Sequence, residues 1–204
     1  MIIKKLIMKK VSFAAAVCMA IFSFQSCGDT GSGDAVESAN ESNEVKQDSA
    51  EKTSGEATAP VSEEDSKFAV MAASGGMMEV QLGELAQQKA ASQRVKDFGA
   101  MMVRDHTKAN DELKNLAGMK NITVPPAPGE DHMDQITNLS KKSGREFDRE
   151  YMKMMVDDHQ EDIDEFEKCS NNSKDADLKA FAAKTLPVLR THLDSAKAIN
   201  DALK

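Results

Sequence analysis

Two stretches of the chain repeat one pattern of chemically capable residues. Phe98-Gly99-Ala100-Met101-Met102-Val103-Arg104-Asp105-His106 and Tyr151-Met152-Lys153-Met154-Met155-Val156-Asp157-Asp158-His159 each pass from an aromatic residue through Met-Met-Val to Asp-His. An imidazole can hold a proton near neutral pH, hydrogen-bond through either nitrogen, or ligate a transition metal. At about 3.6 residues per helical turn, Phe98, Met102, His106, Ala109 and Leu113 share one face. Tyr151, Met155, His159, Ile163 and Phe166 share another. His192 lies on a third apolar stripe with Leu178, Phe181, Thr185, Leu189, Ala196, Ile199 and Leu203. Glu79 lies on a fourth, which runs through Phe68, Met71, Gly75, Met78, Leu82, Leu85 and Lys89. A polar group on such a stripe needs a partner inside the core. Asp105 and Asp158 stand one residue before their histidines and can flank the same layer, whereas His132 falls outside it.

Two chemistries fit this set. Imidazoles and a carboxylate converging in a dry core are the donors of a site for one transition-metal ion, with Glu79, His106, His159 and His192, and Asp105 and Asp158 beside them, as the candidate metal residues. Alternatively, each histidine hydrogen-bonds a neighbouring Asp, Thr or backbone carbonyl and fixes helix register. Met71, Met78, Met102 and Met155 read as core filler; a thioether copper site is the lesser reading.

The elements that must position these groups are all helical. Ser62 can cap a first helix to about Ala91, with Glu63, Glu64 and Asp65 at its positive end. Within it Gly75-Gly76 points to a close neighbour or a bend. Ser92 caps a second helix that Gly118 ends. Pro125, Pro126 and Pro128 make a loop, and a short helix spans about Asp131 to Lys142 until Gly144 breaks it. A third long helix runs from about Arg145 to Cys169. Asn171-Asn172-Ser173 forms a turn in which Ser173 caps a fourth helix, interrupted by Pro187. No stretch reads as a strand. The class is all-α: a four-helix bundle whose long join, Met119 to Gly144, is a crossover between the second and third helices. Mid-helix residues of such a bundle share one layer whichever way each helix points.

Around this domain, 62–204, the chain carries other material. Residues 1–26 hold Lys4, Lys5, Lys9 and Lys10 before the apolar run Val11 to Phe24, the pattern of a secretory signal. Phe24-Gln25-Ser26-Cys27 resembles a bacterial lipobox, which implies cleavage before Cys27 and acylation of that residue. Cys18, preceded by Val17, suits cleavage less well. Residues 27–61 are rich in Ser, Gly, Ala, Asn and Glu, without an aromatic, and read as a disordered acidic tether. Loss of the leader leaves 22 basic against 34 acidic side chains, a net charge of −12. That excludes nucleic acid as a partner, since phosphate binding needs a basic face. It leaves acyl chains as the membrane contact. Only Cys169 then remains beside Cys27, so the domain has no internal disulfide and Cys169 reads as an inert thiol.

Several motifs carry a family resemblance. Phe68-x-x-x-Ala72, Gly75-Gly76-x-x-Glu79-x-x-Leu82-Gly83-x-Leu85-Ala86, Met102-Val103-x-Asp105-His106, Phe147-Asp148-x-x-Tyr151, His159 and Leu186-Pro187-x-Leu189-x-x-His192-Leu193 together resemble the bacterial domain-of-unknown-function 4142 family over about Lys67 to Leu203. The resemblance implies a ferritin-like fold in an exported or outer-membrane protein, and no reaction comes with it. Di-iron members of the ferritin-like group carry Glu-x-x-His on two helices. Here Val103, Val156 and Leu189 stand three residues before His106, His159 and His192, so that pattern is not met. The reading is a lipid-anchored envelope protein, periplasmic or surface-facing, with a metal-binding His/carboxylate layer or none. It favours a binding module over the alternatives, a metal-dependent oxidase-type enzyme and a structural or partner-binding envelope stress protein. No nucleophile triad or phosphate loop argues for an enzyme.

Overall fold

A computed structural model of the protein describes residues 33–52 and 61–204. The leader, Cys27 and the start of the tether lie outside the described residues. Among those described are the helices α1 (Ala35–Lys52), α2 (Glu63–Lys89), α3 (Gln93–Met119), α4 (Glu130–Ser140), α5 (Gly144–Asn172) and α6 (Ala176–Ala202). The only strand-like feature among them is an isolated bridge between Ala90 and Gly144. The all-α expectation holds.

Local chemistry sets the helix ends. The Ser62 hydroxyl accepts from the Asp65 N–H and caps α2 as expected. Other ends differ from the sequence reading. Gly118 does not stop α3; the helix runs to Met119, and the reversal falls on Asn121 at φ 57°, where the Ile122 N–H reaches back to the Ala117 carbonyl at 2.9 Å. Gly144, at φ +62°, opens α5 rather than closing α4. Asp175, not Ser173, caps α6, because its carboxylate accepts from both Asp177 and Leu178 N–H at 3.0 Å. Pro187 sits inside α6 without ending it.

The expected tether is in part a helix. Over Ala35–Lys52 the chain is α-helical and packs on α2. Asn43 is buried, donates to the Thr123 carbonyl at 2.9 Å and accepts the Thr123 N–H at 2.7 Å. Lys46 reaches the Asn121 carbonyl at 2.9 Å. Gln47 donates to the Val61 carbonyl and the Ser66 hydroxyl. These contacts are polar, so a reading based on apolar content overlooked them.

The long helices pack in the pairs α2–α3 and α5–α6, with α2 also against α5 and α3 against α6. Two buried carboxylates clasp the pairs. Asp148, near the start of α5, accepts from the N–H groups of Ala91 and Ser92 at 3.0 Å, in the turn after α2. Asp65, near the start of α2, accepts from Lys174 and Asp175 N–H in the turn after α5. The start of each helix is therefore tied to the end of the other, so α2 and α5 run antiparallel.

The core falls into two apolar clusters. One contains Leu113, Ile163, Phe166, Phe181 and Leu189. The other contains Met78, Met102, Phe147, Tyr151, Met155 and Ala196. Along α3, His106 lies between Met102 of one cluster and Leu113 of the other. His159 lies likewise between Met155 and Ile163, and His192 between Leu189 and Ala196. The polar layer is the boundary between the two clusters.

On α2 the buried face is offset from the expected stripe. Ala69, Ala73, Gly76, Leu82, Gly83 and Ala86 face inward, while Met71 is half exposed. Small residues define this face because α3 lies very close. A Cβ on Gly83 would stand 2.7 Å from the Gly99 carbonyl oxygen, and one on Gly99 would stand 2.7 Å from that of Gly83. A Cβ on Gly75 would meet nothing nearer than 3.9 Å. Gly99→Ala therefore forces two backbones apart and is expected to destabilise the fold by about 1–3 kcal/mol. Gly75→Ala is expected to be neutral or to stabilise by up to about 1 kcal/mol. Chemical denaturation checks both, and equal midpoints for the two variants would contradict the packing described.

Candidate metal centre

The repeated Met-Met-Val-x-Asp-His segments place His106 on α3 and His159 on α5. His192 comes from α6 and Glu79 from α2. All four are buried, at 6%, 0%, 1% and 1% exposure. The three imidazole rings form a triangle with centroid separations of 5.7, 5.3 and 5.3 Å. One nitrogen from each ring lies within 4.8 Å of the others, and Glu79, Asp158 and His159 form a second such group. The structure thus brings together all six residues singled out in the sequence. His132 lies apart, hydrogen-bonded through Nδ1 to the Ser74 hydroxyl at 2.6 Å, while that hydroxyl accepts the Gly129 N–H.

The hydrogen-bond partners assign the tautomers. His159 Nδ1 faces the Met155 carbonyl at 3.0 Å and must donate to it. Its Nε2 then carries a lone pair. His192 Nε2 lies 3.0 Å from Asp105 Oδ2 and donates to that carboxylate. Asp105 is itself held on two arms by Arg104, which draws its carboxyl below the ordinary range. The remaining His192 nitrogen, Nδ1, also presents a lone pair when the ring is neutral, and burial favours the neutral ring. These two lone pairs face each other at 3.3 Å. Glu79 Oε1 stands 3.4 Å from the same His159 Nε2. His106 Nδ1 is anchored on Glu79 Oε2 at 2.6 Å, and its Nε2 has no hydrogen-bond partner.

Facing lone pairs repel unless a cation lies between them. Two nitrogens bound tetrahedrally at about 2.0–2.1 Å from one metal ion stand about 3.3–3.4 Å apart, which matches the His159–His192 separation. Each histidine holds its other nitrogen on a carbonyl or a carboxylate, the arrangement that orients metal-ligating imidazoles. The unpartnered buried atoms Glu79 Oε1, His106 Nε2 and Asp158 Oδ2 add further donors. The residues present therefore fit a transition-metal ion.

Burial dominates the electrostatics. It pushes the Glu79 and Asp158 carboxyls well up, and the two face each other across α2 and α5. It drives His159 well below the usual imidazole range. The Tyr151 hydroxyl, also buried and unpartnered, is raised by burial and then by Glu79 and Asp158. Cys169 is a buried free thiol pushed up to about 12, as suits an inert core cysteine. Sequence reasoning missed Asp162, which reaches this region one turn beyond Asp158; its carboxyl too is pushed well up by burial. The signal was present in the i, i+4 spacing of Asp158 and Asp162.

Comparison with known proteins agrees with the sequence resemblance. The family described as "Domain of unknown function (DUF4142)" matches residues 50–199, and the chain belongs to that family. Its fold is similar to that of a DUF305 fragment from Deinococcus radiodurans, with a TM-score of 0.62 at 9% identity, covering 70% of this chain and 99% of that one. It is also similar to CopM solved in its Cu(II)-bound form, with a TM-score of 0.59 at 18% identity, covering 69% of this chain and 97% of that one. At such identities the likeness is one of fold. No curated protein matches the sequence.

Burial pushes the His106 imidazole down to about 4 from an ordinary value of 6.5. Between those values the unfolded chain takes up a proton that the folded chain refuses, so the stability linked to His106 is present near neutral pH and lost as pH falls. Relative to His106→Leu, the wild type is expected to lose up to about 3 kcal/mol of stability on acidification across this window. Denaturant titrations of both proteins at several pH values measure the gap. A gap that stays constant would contradict a neutral buried His106.

Proposed function

We propose that this DUF4142 protein binds one transition-metal ion in a layer at the centre of a ferritin-like four-helix bundle. In this reading α2, α3, α5 and α6 are the bundle, and the connection through α4 is the crossover. The single observation that carries the proposal is the pair of converging nitrogens, His159 Nε2 and His192 Nδ1, at 3.3 Å. His106 and Glu79 complete the donor set. Asp105 orients His192, and Asp158 supports Glu79. Imidazole-rich donor sets suit copper and zinc, and the similar fold of a protein solved with Cu(II) supports copper as the first ion to test. The protein is a binding module: its donors account for holding an ion, and nothing in the layer requires a reaction.

The proposed setting is the cell envelope. Cleavage before Cys27 and acylation of that residue would tether the domain to a membrane, probed by metabolic labelling with a fatty-acid analogue. No helix among the described residues is long and apolar enough to cross a membrane.

Metal content decides the central point. Protein purified without a His-tag and exposed to Cu(II) or Zn(II) is expected to retain one equivalent by mass spectrometry. His159→Leu and His192→Leu should weaken binding by more than about 100-fold while the helical circular dichroism persists, and Asp105→Asn by about 10–100-fold. A wild type that retains no stoichiometric ion, together with leucine variants more stable than it, would overturn the proposal. The histidines would then be architectural, since a buried polar network often stabilises less than well-packed apolar side chains.

A further inference from the structure

A second feature touches the layer from outside. Between α2 and α5 lies an open cleft of about 630 Å³. Beyond it, deeper in the molecule, is a cavity of about 20 Å³ lined by Glu79 and His106, with room for about one water molecule. Ala72, Asp162 and Phe166 line both spaces and so lie where the two adjoin. The inner cavity is lined by two of the three layer residues that keep unpartnered buried atoms, Glu79 and His106.

The charge of the cleft is selective. On α5, Asp158, Glu161, Asp162 and Glu165 follow i, i+3, i+4, i+7 spacing and line one wall. With Glu64 and Asp65 they make six acidic side chains against three lysines; burial favours the neutral form of Asp158 and Asp162, so the charge of the wall comes mainly from the exposed Glu64, Glu161 and Glu165. Two of the lysines are already engaged, Lys67 with Glu63 and Lys168 with Glu165. A concave wall of one sign concentrates counter-ions and repels anions.

We propose that this cleft is the loading route of the metal centre: a cation is collected along the α5 carboxylates and passes Asp162 to reach Glu79 and His106. This rests on the metal-site reading. It assigns Asp162 a role distinct from the ligands, as the carboxylate that relays the ion between the two spaces. It also gives Gly75 a reason to stay small. Gly75 lines the cleft, and a Cβ there would touch only the His132 ring, at 3.9 Å, so a larger side chain would narrow the passage without displacing α3.

Stopped-flow mixing of the full-length apoprotein with Cu(II), followed through the Cu(II)–imidazole ligand-field absorption, reads arrival at the layer. In a Glu161→Gln/Asp162→Asn/Glu165→Gln variant the association rate is expected to fall about 10-fold or more and to lose much of its salt dependence, while the final spectrum and one bound ion are unchanged. Gly75→Leu, which changes no charge, should slow uptake and keep the wild-type salt dependence; it carries the test if the triple variant does not fold. Wild-type rates in either folded variant would overturn the route while leaving the centre intact. A wild type that binds no Cu(II) would refute the centre, and the route with it.

Discussion

Burying polar groups at the junction of two apolar clusters is the constraint from which the rest of this structure follows. An unsatisfied buried nitrogen or oxygen costs about 1–3 kcal/mol. The layer contains several such atoms, and the protein satisfies only the outward-facing half of them. Met155, Asp105 and Glu79 each hold one nitrogen of one histidine, which fixes the orientation of all three rings and the tautomers of His159 and His192. What remains is a set of inward-facing lone pairs. The same bonds that anchor the rings leave the His159 Nε2 and His192 Nδ1 lone pairs aimed at each other.

That arrangement depends on helix register. A shift of one residue on any long helix would rotate its layer residue by about 100° out of the core. Register is set by contacts outside the layer. The reciprocal clasps of Asp65 and Asp148 fix α2 against α5 at both ends. The Gly83–Gly99 contact fixes α2 against α3 at backbone distance. The α1 helix ties down the loop after α3 through Asn43 and Thr123. Each device is polar or steric rather than a gain in apolar area, and each restricts sliding.

Much of the site was legible in the sequence because the repeated Asp-His segments keep one register with the aromatic and methionine residues before them. Helix spacing alone then placed His106, His159, His192 and Glu79 at one height. The α2 stripe is hard to read because its buried face is built largely of alanine and glycine, which carry little hydrophobic signal, while Met71 looks like core and is half exposed. The α1 helix was invisible because its contacts are side-chain amides and an ammonium group on backbone carbonyls, features that composition counts as solvent-exposed. The cap at Asp175 and the reversal at Asn121 are hard to read because serine and glycine lie close by and offer simpler candidates. Tautomers were never readable from sequence. They follow from which carbonyl or carboxylate each ring edge meets, and only three dimensions supply that.

Whether the two facing ring nitrogens carry lone pairs is a question of their protonation. Nitrogen-15 NMR of the histidine side chains in the apoprotein near neutral pH measures it directly. The account predicts proton-bearing Nδ1 and lone-pair Nε2 for His159, and the opposite tautomer for His192, with both lone-pair resonances shifting when Zn(II) is added. A doubly protonated His192 that donates through Nδ1 to His159, unchanged by the metal, would contradict it.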